Sequence, residues 1–229
     1  MINFKGKKIL ITGATGGIGN ALVKKFLSLD GTVLATGTNT EKLDSLKKEF
    51  PNINVLKFDI SDHSKIEEFI ENVSSQLVGL DVLVNNAGIL STTNRQSIEH
   101  VDIEQWRAVQ SVNVEGVFLG CQTAVLSMKE AGGSIINMSS VAGLIASPGI
   151  VAYGASKGAV RQLTKSVAVD CARKGYKIRC NSVHPGYIET ELGRGSMNLG
   201  GGDPCLLYTS PSPRDQRGSG LRGWGWKKK

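Results

Sequence analysis

Tyr153 and Lys157 stand four residues apart in YGASK, a separation that places both side chains on one face of a helix. A phenol with a pKa near 10 is a poor proton donor or acceptor at neutral pH. Bringing it to about 7 requires roughly 4 kcal/mol of preferential stabilisation of the phenolate. One ammonium group about 4 Å away in partly buried surroundings supplies that much, so the pair is expected to form an acid/base centre with a lowered phenol pKa. A YxxxK on a surface would mean little. Here Ser140 precedes Tyr153 by thirteen residues, at the end of the apolar run SIINM, and two further patterns lie upstream.

The first is ILITGATGGIG, Ile9 to Gly19. An apolar run of this kind suits a buried parallel strand, and the glycines that follow let backbone approach a ligand where a side chain would collide. A helix starting near Gly17 would aim free N–H groups and the positive end of its dipole at the turn, which suits a diphosphate. A turn that only reverses the chain is the alternative. The second pattern is Asn85-Asn86-Ala87-Gly88, where paired amides can fasten neighbouring strands while the backbone passes beside a ligand. Between them and Tyr153 lies Asn113. Asparagine is a poor residue for a helix interior, so its amide is expected to bond something specific; a buried, satisfied polar residue is the plainer reading.

Together TGxxxGIG, NNAG, the serine and YxxxK resemble the short-chain dehydrogenase/reductase family across about residues 3 to 192. The first ninety residues are most similar to 3-oxoacyl-carrier-protein reductases. SIINMSS, ASKGAVR and NSVHPGYIET are more similar to secondary-alcohol and hydroxysteroid dehydrogenases, a mosaic or a join of two reading frames. The resemblance implies hydride transfer between a nicotinamide cofactor and a carbonyl or secondary alcohol, on a 3-oxoacyl thioester or a ketone. Tyr153 would be the acid/base group, and Lys157, helped by the positive charge of an oxidised nicotinamide, would lower its pKa and hold the ribose. Ser140 would hydrogen-bond the substrate oxygen, and Asn113 would support a proton relay. Cofactor contacts would come from Gly13, Thr15, Gly17, Ile18 and Gly19, from Thr38 and Asn39, from Asp59 and Ile60, and from Asn86, Ala87 and Gly88. Pro185, Gly186, the Ile188 backbone and the Thr190 hydroxyl would hold the nicotinamide end. Asp59 or Ser61 capping the next helix is the competing reading, and His184, before Pro-Gly, is read as a packing or turn residue.

The end of the second strand bears on the cofactor. An acidic residue there would accept hydrogen bonds from the adenosine ribose and repel a 2′-phosphate. Gly37, Thr38 and Asn39 offer no carboxylate, which favours NADP over NAD, with hydroxyls and Lys42 left to hold the phosphate.

These residues need a scaffold, and the chain alternates strand-like with helix-like segments. Strands are expected at 8–12, 32–36, 54–58, 81–84, 134–138 and 178–183. Helices are expected at 18–28, 40–50, 62–77, 102–128 and from Tyr153 to about Arg173. That is a doubly wound α/β Rossmann-like domain with parallel order 3-2-1-4-5-6 and the cofactor at the carboxyl ends of strands one and four.

After Leu192 the character changes. Residues 193–229 hold nine glycines, three prolines and no apolar period, and such a segment buries too little to order itself. Pro204 to Asp215 is similar to translated sequencing-adaptor DNA. The expectation is a domain over 1–192, without the family's seventh strand, and a disordered, non-native or frame-shifted tail over 193–229. The same tail carries seven basic and two acidic residues, +5 of the net +7. The domain is therefore nearly neutral and calls for neither nucleic acid nor membrane. The four cysteines form no CxxC pair, so no metal site is expected. MINFKGKK leads straight into a strand without an apolar signal segment, which points to the cytoplasm. A homodimer through the helices carrying Asn113 and Tyr153 is implied by the resemblance; a tetramer would need the missing strand.

Overall fold

A computed structural model describes residues 3–77, 79–91 and 96–200, the last five in backbone only. Six strands form one sheet: β1 (Lys8–Ile11), β2 (Thr32–Gly37), β3 (Asn54–Lys57), β4 (Val82–Asn85), β5 (Gly133–Met138) and β6 (Ile178–Val183). Their order is β3-β2-β1-β4-β5-β6, parallel at every pairing. Apolar residues run unbroken through β1 and β4 because both faces are covered. Ile9, Ile11, Val33, Val82 and Val84 face α1 (Gly17–Leu27) and α2 (Thr40–Glu49) through Val23 and Leu46. The alternate residues Leu10, Leu34, Leu83 and Ile135 pack against α3 (Ile66–Gln76), α5 (Gly116–Met128) and α6 (Val151–Arg173).

Four expectations change in detail. The helix expected over 62–77 opens with a tight 3₁₀ turn, His63–Lys65, before α3 begins. Neither Asp59 nor Ser61 caps it: Asp59 accepts from the amide and hydroxyl of Ser61 at 2.9 and 2.7 Å and so closes its own turn. The helix expected over 102–128 is α4 (Ile103–Gln110) and α5 joined by a π turn, Ser111–Glu115, with Asn113 at its centre. Finally, the boundary expected after Leu192 falls inside α7 (Glu191–Gly200), whose regular backbone continues to Gly200. Thr190 starts this helix, its hydroxyl accepting from Gly193 N–H at 3.1 Å. Residues 201–229 of the expected tail lie outside the described residues.

Candidate active site

The carboxyl ends of the strands open into a cleft of about 1150 Å³. At its floor, the turn after β1 and the end of β4 are locked together. Asn86 donates through Nδ2 to the carbonyls of Thr12 and Gly13 at 3.1 and 3.0 Å. The Thr12 hydroxyl accepts from the amides of Asn86 and Ala87, each at 3.1 Å. Gly13 has φ +60°, and a Cβ on it would lie 2.7 Å from Ala87 Cα. Only glycine allows this approach. α1 starts at Gly17 without a side-chain cap, so its first N–H groups point into the cleft unmatched, a geometry that fits a diphosphate.

Asn85, beside Asn86, serves the other side of the sheet, donating to Asn137 Oδ1 of β5 at 2.9 Å. Asn137 donates in turn to the Thr164 hydroxyl of α6 at 3.0 Å. A chain of satisfied amides thus ties β4, β5 and α6 in an otherwise apolar core, where an unpaired amide would be costly.

Tyr153 and Lys157 lie in the first turns of α6 and both line the cleft. The Lys157 ammonium is 5.5 Å from the centre of the Tyr153 ring and donates to the Met138 carbonyl at 2.8 Å. Lys157 is only 3% exposed, and burial holds its pKa down at about 8. Tyr153 is also buried, and without the charge of an oxidised nicotinamide beside it its phenol moves opposite to the direction expected with that charge. Burial pushes its phenol up, and the Ser140 hydroxyl, which hydrogen-bonds it, pulls back. The loss of hydration outweighs the hydrogen bond from Ser140.

Ser140 sits where β5 meets the 3₁₀ turn Val141–Gly143, its Oγ accepting from Ala142 N–H at 3.1 Å. Its carbonyl is 3.2 Å from His184 Nδ1, and His184 Nε2 is 2.9 Å from the Ser182 hydroxyl. A carbonyl can only accept, so Nδ1 carries the proton, and His184 ties the end of β6 to the serine backbone. His184 is absent from the lining of the cleft, in keeping with the packing or turn residue expected from its place before Pro185.

Asn113 is fully buried behind this wall. Its Oδ1 accepts from Ile89 N–H at 2.8 Å, and its Nδ2 donates to the Ile89 carbonyl at 2.9 Å and to the Ser156 hydroxyl at 3.0 Å. A π turn interrupting a helix is a frequent companion of functional sites.

Of the other residues singled out, Thr15, Ile18, Thr38, Asp59, Ile60 and Gly88 line the cleft, as do Pro185, Gly186, Ile188 and Thr190. Three do not. Gly19 packs against the Gly13 carbonyl. Asn39 caps α2, accepting from Lys42 N–H at 2.8 Å. Asn113 acts from behind the Gly88–Ile89 backbone. Ile60 lines the cleft while packing on Gly116 of α5. The Thr190 hydroxyl, expected at a carboxamide, lines the cleft and also accepts from Gly193 N–H of α7. Cys121, Cys171 and Cys180 are buried and free, Cys205 lies outside the described residues, and no group of metal-ligating side chains occurs among the described residues.

Known proteins are similar to this chain over most of its length. The sequence pattern of the family described as short chain dehydrogenase matches residues 7–198. The chain is 40% identical over 193 residues to the NADP-dependent (R)-specific alcohol dehydrogenase of Lentilactobacillus kefiri, covering 82% of this chain and 75% of that one. It is also 40% identical over 196 residues to a 3-oxoacyl-acyl-carrier-protein reductase of Thermotoga maritima, covering 83% and 78%. Both relatives align across the two stretches that resemble different branches. Among solved structures, a gluconate 5-dehydrogenase from Burkholderia cenocepacia in complex with NADP and tartrate superposes with a TM-score of 0.77 at 35% identity, over 84% of this chain and 75% of that one.

Proposed function

We propose the following mechanism for a chain that belongs to the short-chain dehydrogenase/reductase family: reversible hydride transfer in which its own residues bind, orient and protonate the substrate. The chain is an NAD(P)-dependent oxidoreductase interconverting a carbonyl and a secondary alcohol. Cofactor binding without turnover is not favoured, because the relatives are named for their dehydrogenase and reductase activities. We assign NADP as the cofactor. The glycine turn, the uncapped start of α1 and a β2 end without a carboxylate fit it, the alcohol dehydrogenase relative is NADP-dependent, and the gluconate dehydrogenase structure holds NADP.

When bound, the cofactor supplies the hydride in reduction and accepts it in oxidation. Ser140 Oγ positions the substrate oxygen by a hydrogen bond. Tyr153 gives that oxygen its proton in reduction and removes it in oxidation. Lys157 favours the phenolate and holds the ribose, and Asn113 supports the exit of the proton by fixing the Ile89 backbone. Lys42, 3.7 Å from Glu191 at the mouth of the cleft, is the cation available to a 2′-phosphate. The catalytic unit we propose runs through α7 to Gly200. It forms a homodimer through the outward faces of α5 and α6, where Phe118, Leu126 and Val169 are exposed. We place it in the cytoplasm, where buried free thiols such as Cys121 stay reduced.

The carrying observation is the convergence of Ser140, Tyr153 and Lys157 on one wall of the cleft that the glycine turn also lines. Tyr153→Phe is expected to abolish NADPH-dependent ketone reduction while leaving NADPH affinity, read by fluorescence titration, within a few-fold. Near-normal turnover of the variant would sink the assignment.

A further inference from the structure

We infer that the substrate is a neutral, apolar ketone or its secondary alcohol, and that carboxylate-bearing counterparts are rejected; this rests on the oxidoreductase reading above. The phenol of Tyr153 belongs to a small apolar cluster with Leu90 and Ile150, and Ala142 packs against it. The loop after β5 adds Val141, which lines the cleft and is 37% exposed. The segment after β6 faces it with Ile188 and Leu192, 45% and 38% exposed, both lining the cleft. Val141, Ile188 and Leu192 are thus left partly in water around the same cleft that Ser140 and Tyr153 line. An apolar substrate would cover them, with area-proportional gain.

Charge points the same way. Of the described residues that line the cleft, three are ionisable to a full charge near neutrality: Asp59, Lys157 and Glu191. Asp59 holds the Ser61 turn beyond β3, and Glu191 pairs with Lys42 of α2 at 3.7 Å. Both are acids and offer a substrate anion no positive charge. The Lys157 ammonium is engaged by the Met138 carbonyl beneath Tyr153. A substrate carboxylate entering beside Leu90, Val141 and Leu192 would lose its hydration and meet no free cationic partner among the described residues lining the cleft, which is strongly unfavourable. α7 reinforces the apolar side, because a Cβ on Gly195 would lie 3.6 Å from Leu90 Cδ2.

The test compares a matched pair on the full chain with NADPH: methyl 4-oxocyclohexanecarboxylate and free 4-oxocyclohexanecarboxylate. The ester is expected to exceed the acid in kcat/KM by at least 100-fold, and Leu192→Arg is expected to narrow that ratio at least ten-fold. Equal or better use of the acid, abolished by Tyr153→Phe, overturns the substrate class and leaves the oxidoreductase reading standing. Reduction of neither compound, with NADPH binding demonstrated, overturns both.

Discussion

Lys157 is a positive charge kept where water cannot reach it, and its displacement from the usual lysine range has a thermodynamic consequence. The unfolded chain would hold that proton up to about pH 10.5, the folded chain only to about 8. The unfolded state therefore binds more protons between those limits, so stability rises with pH across that window, and below it the full cost of burying the ammonium is felt. A difference of this size corresponds to about 3 kcal/mol. Lys157→Met is expected to raise the melting temperature at pH 7 by several degrees, to show a smaller gain at pH 10, and to lose at least 100-fold in kcat. A pH-independent difference in calorimetry would show that burial of the charge is not what the site sustains. Such a trade of stability for activity is expected where a charge is held for chemistry. The spacing of Tyr153 and Lys157 was legible in the sequence, but the balance between them was not. Spacing says which groups meet; the sign of the Tyr153 shift depends on how much water each loses, which is set by Leu90, Ile150 and the strand ends far away in the chain.

At the scale of elements, the strands followed from unbroken apolar runs ended by glycine, asparagine and serine, because a parallel sheet covered on both faces leaves little else for those runs to be; their order followed from the doubly wound fold that the family resemblance implies. The π turn did not follow. Asn113 announced that the helix over 103–128 must accommodate a polar group, yet nothing local says that it does so by one widened turn with its amide across the Ile89 peptide. The start of α7 was hidden for a related reason: Gly193, Gly195 and Gly200 weaken helix propensity, while the Thr190 cap and the packing of Gly195 over Leu90 act in the other direction. Asn113→Ala would leave the Ile89 N–H, the Ile89 carbonyl and the Ser156 hydroxyl without this partner. It is expected to lower unfolding stability by about 3 kcal/mol and kcat by at least ten-fold. Chemical denaturation checks the first and steady-state kinetics the second. An unchanged midpoint would mean that the amide does not clamp the loop.

For the whole molecule, the two faces of the sheet are unequally dressed. On the face of α3, α5 and α6 the core is continuous, and α5 and α6 turn further apolar side chains outward: Phe118 at 48%, Leu126 at 57% and Val169 at 52% exposure. Phe118 and Leu126 are eight residues apart, two turns along one stripe of α5, and the buried edge of that same helix begins at the π turn behind the active site. A second copy laid on this stripe would cover apolar area and brace the helices that hold Asn113 and Tyr153. Across the sheet, β6 is paired on its β5 side alone among the described residues, with Val183 45% exposed, so that edge offers backbone groups rather than a packed apolar stripe. The stripe is thus the better interface, since association gains most from contiguous apolar surface that stays folded on its own. Leu126→Glu is expected to convert the proposed dimer to a monomer in size-exclusion chromatography with light scattering. Because α5 carries the π turn at its start, kcat in the monomer should fall several-fold while KM for NADPH, set at the far side of the sheet by the glycine turn, stays within two-fold. A variant that remains dimeric would move the interface away from α5.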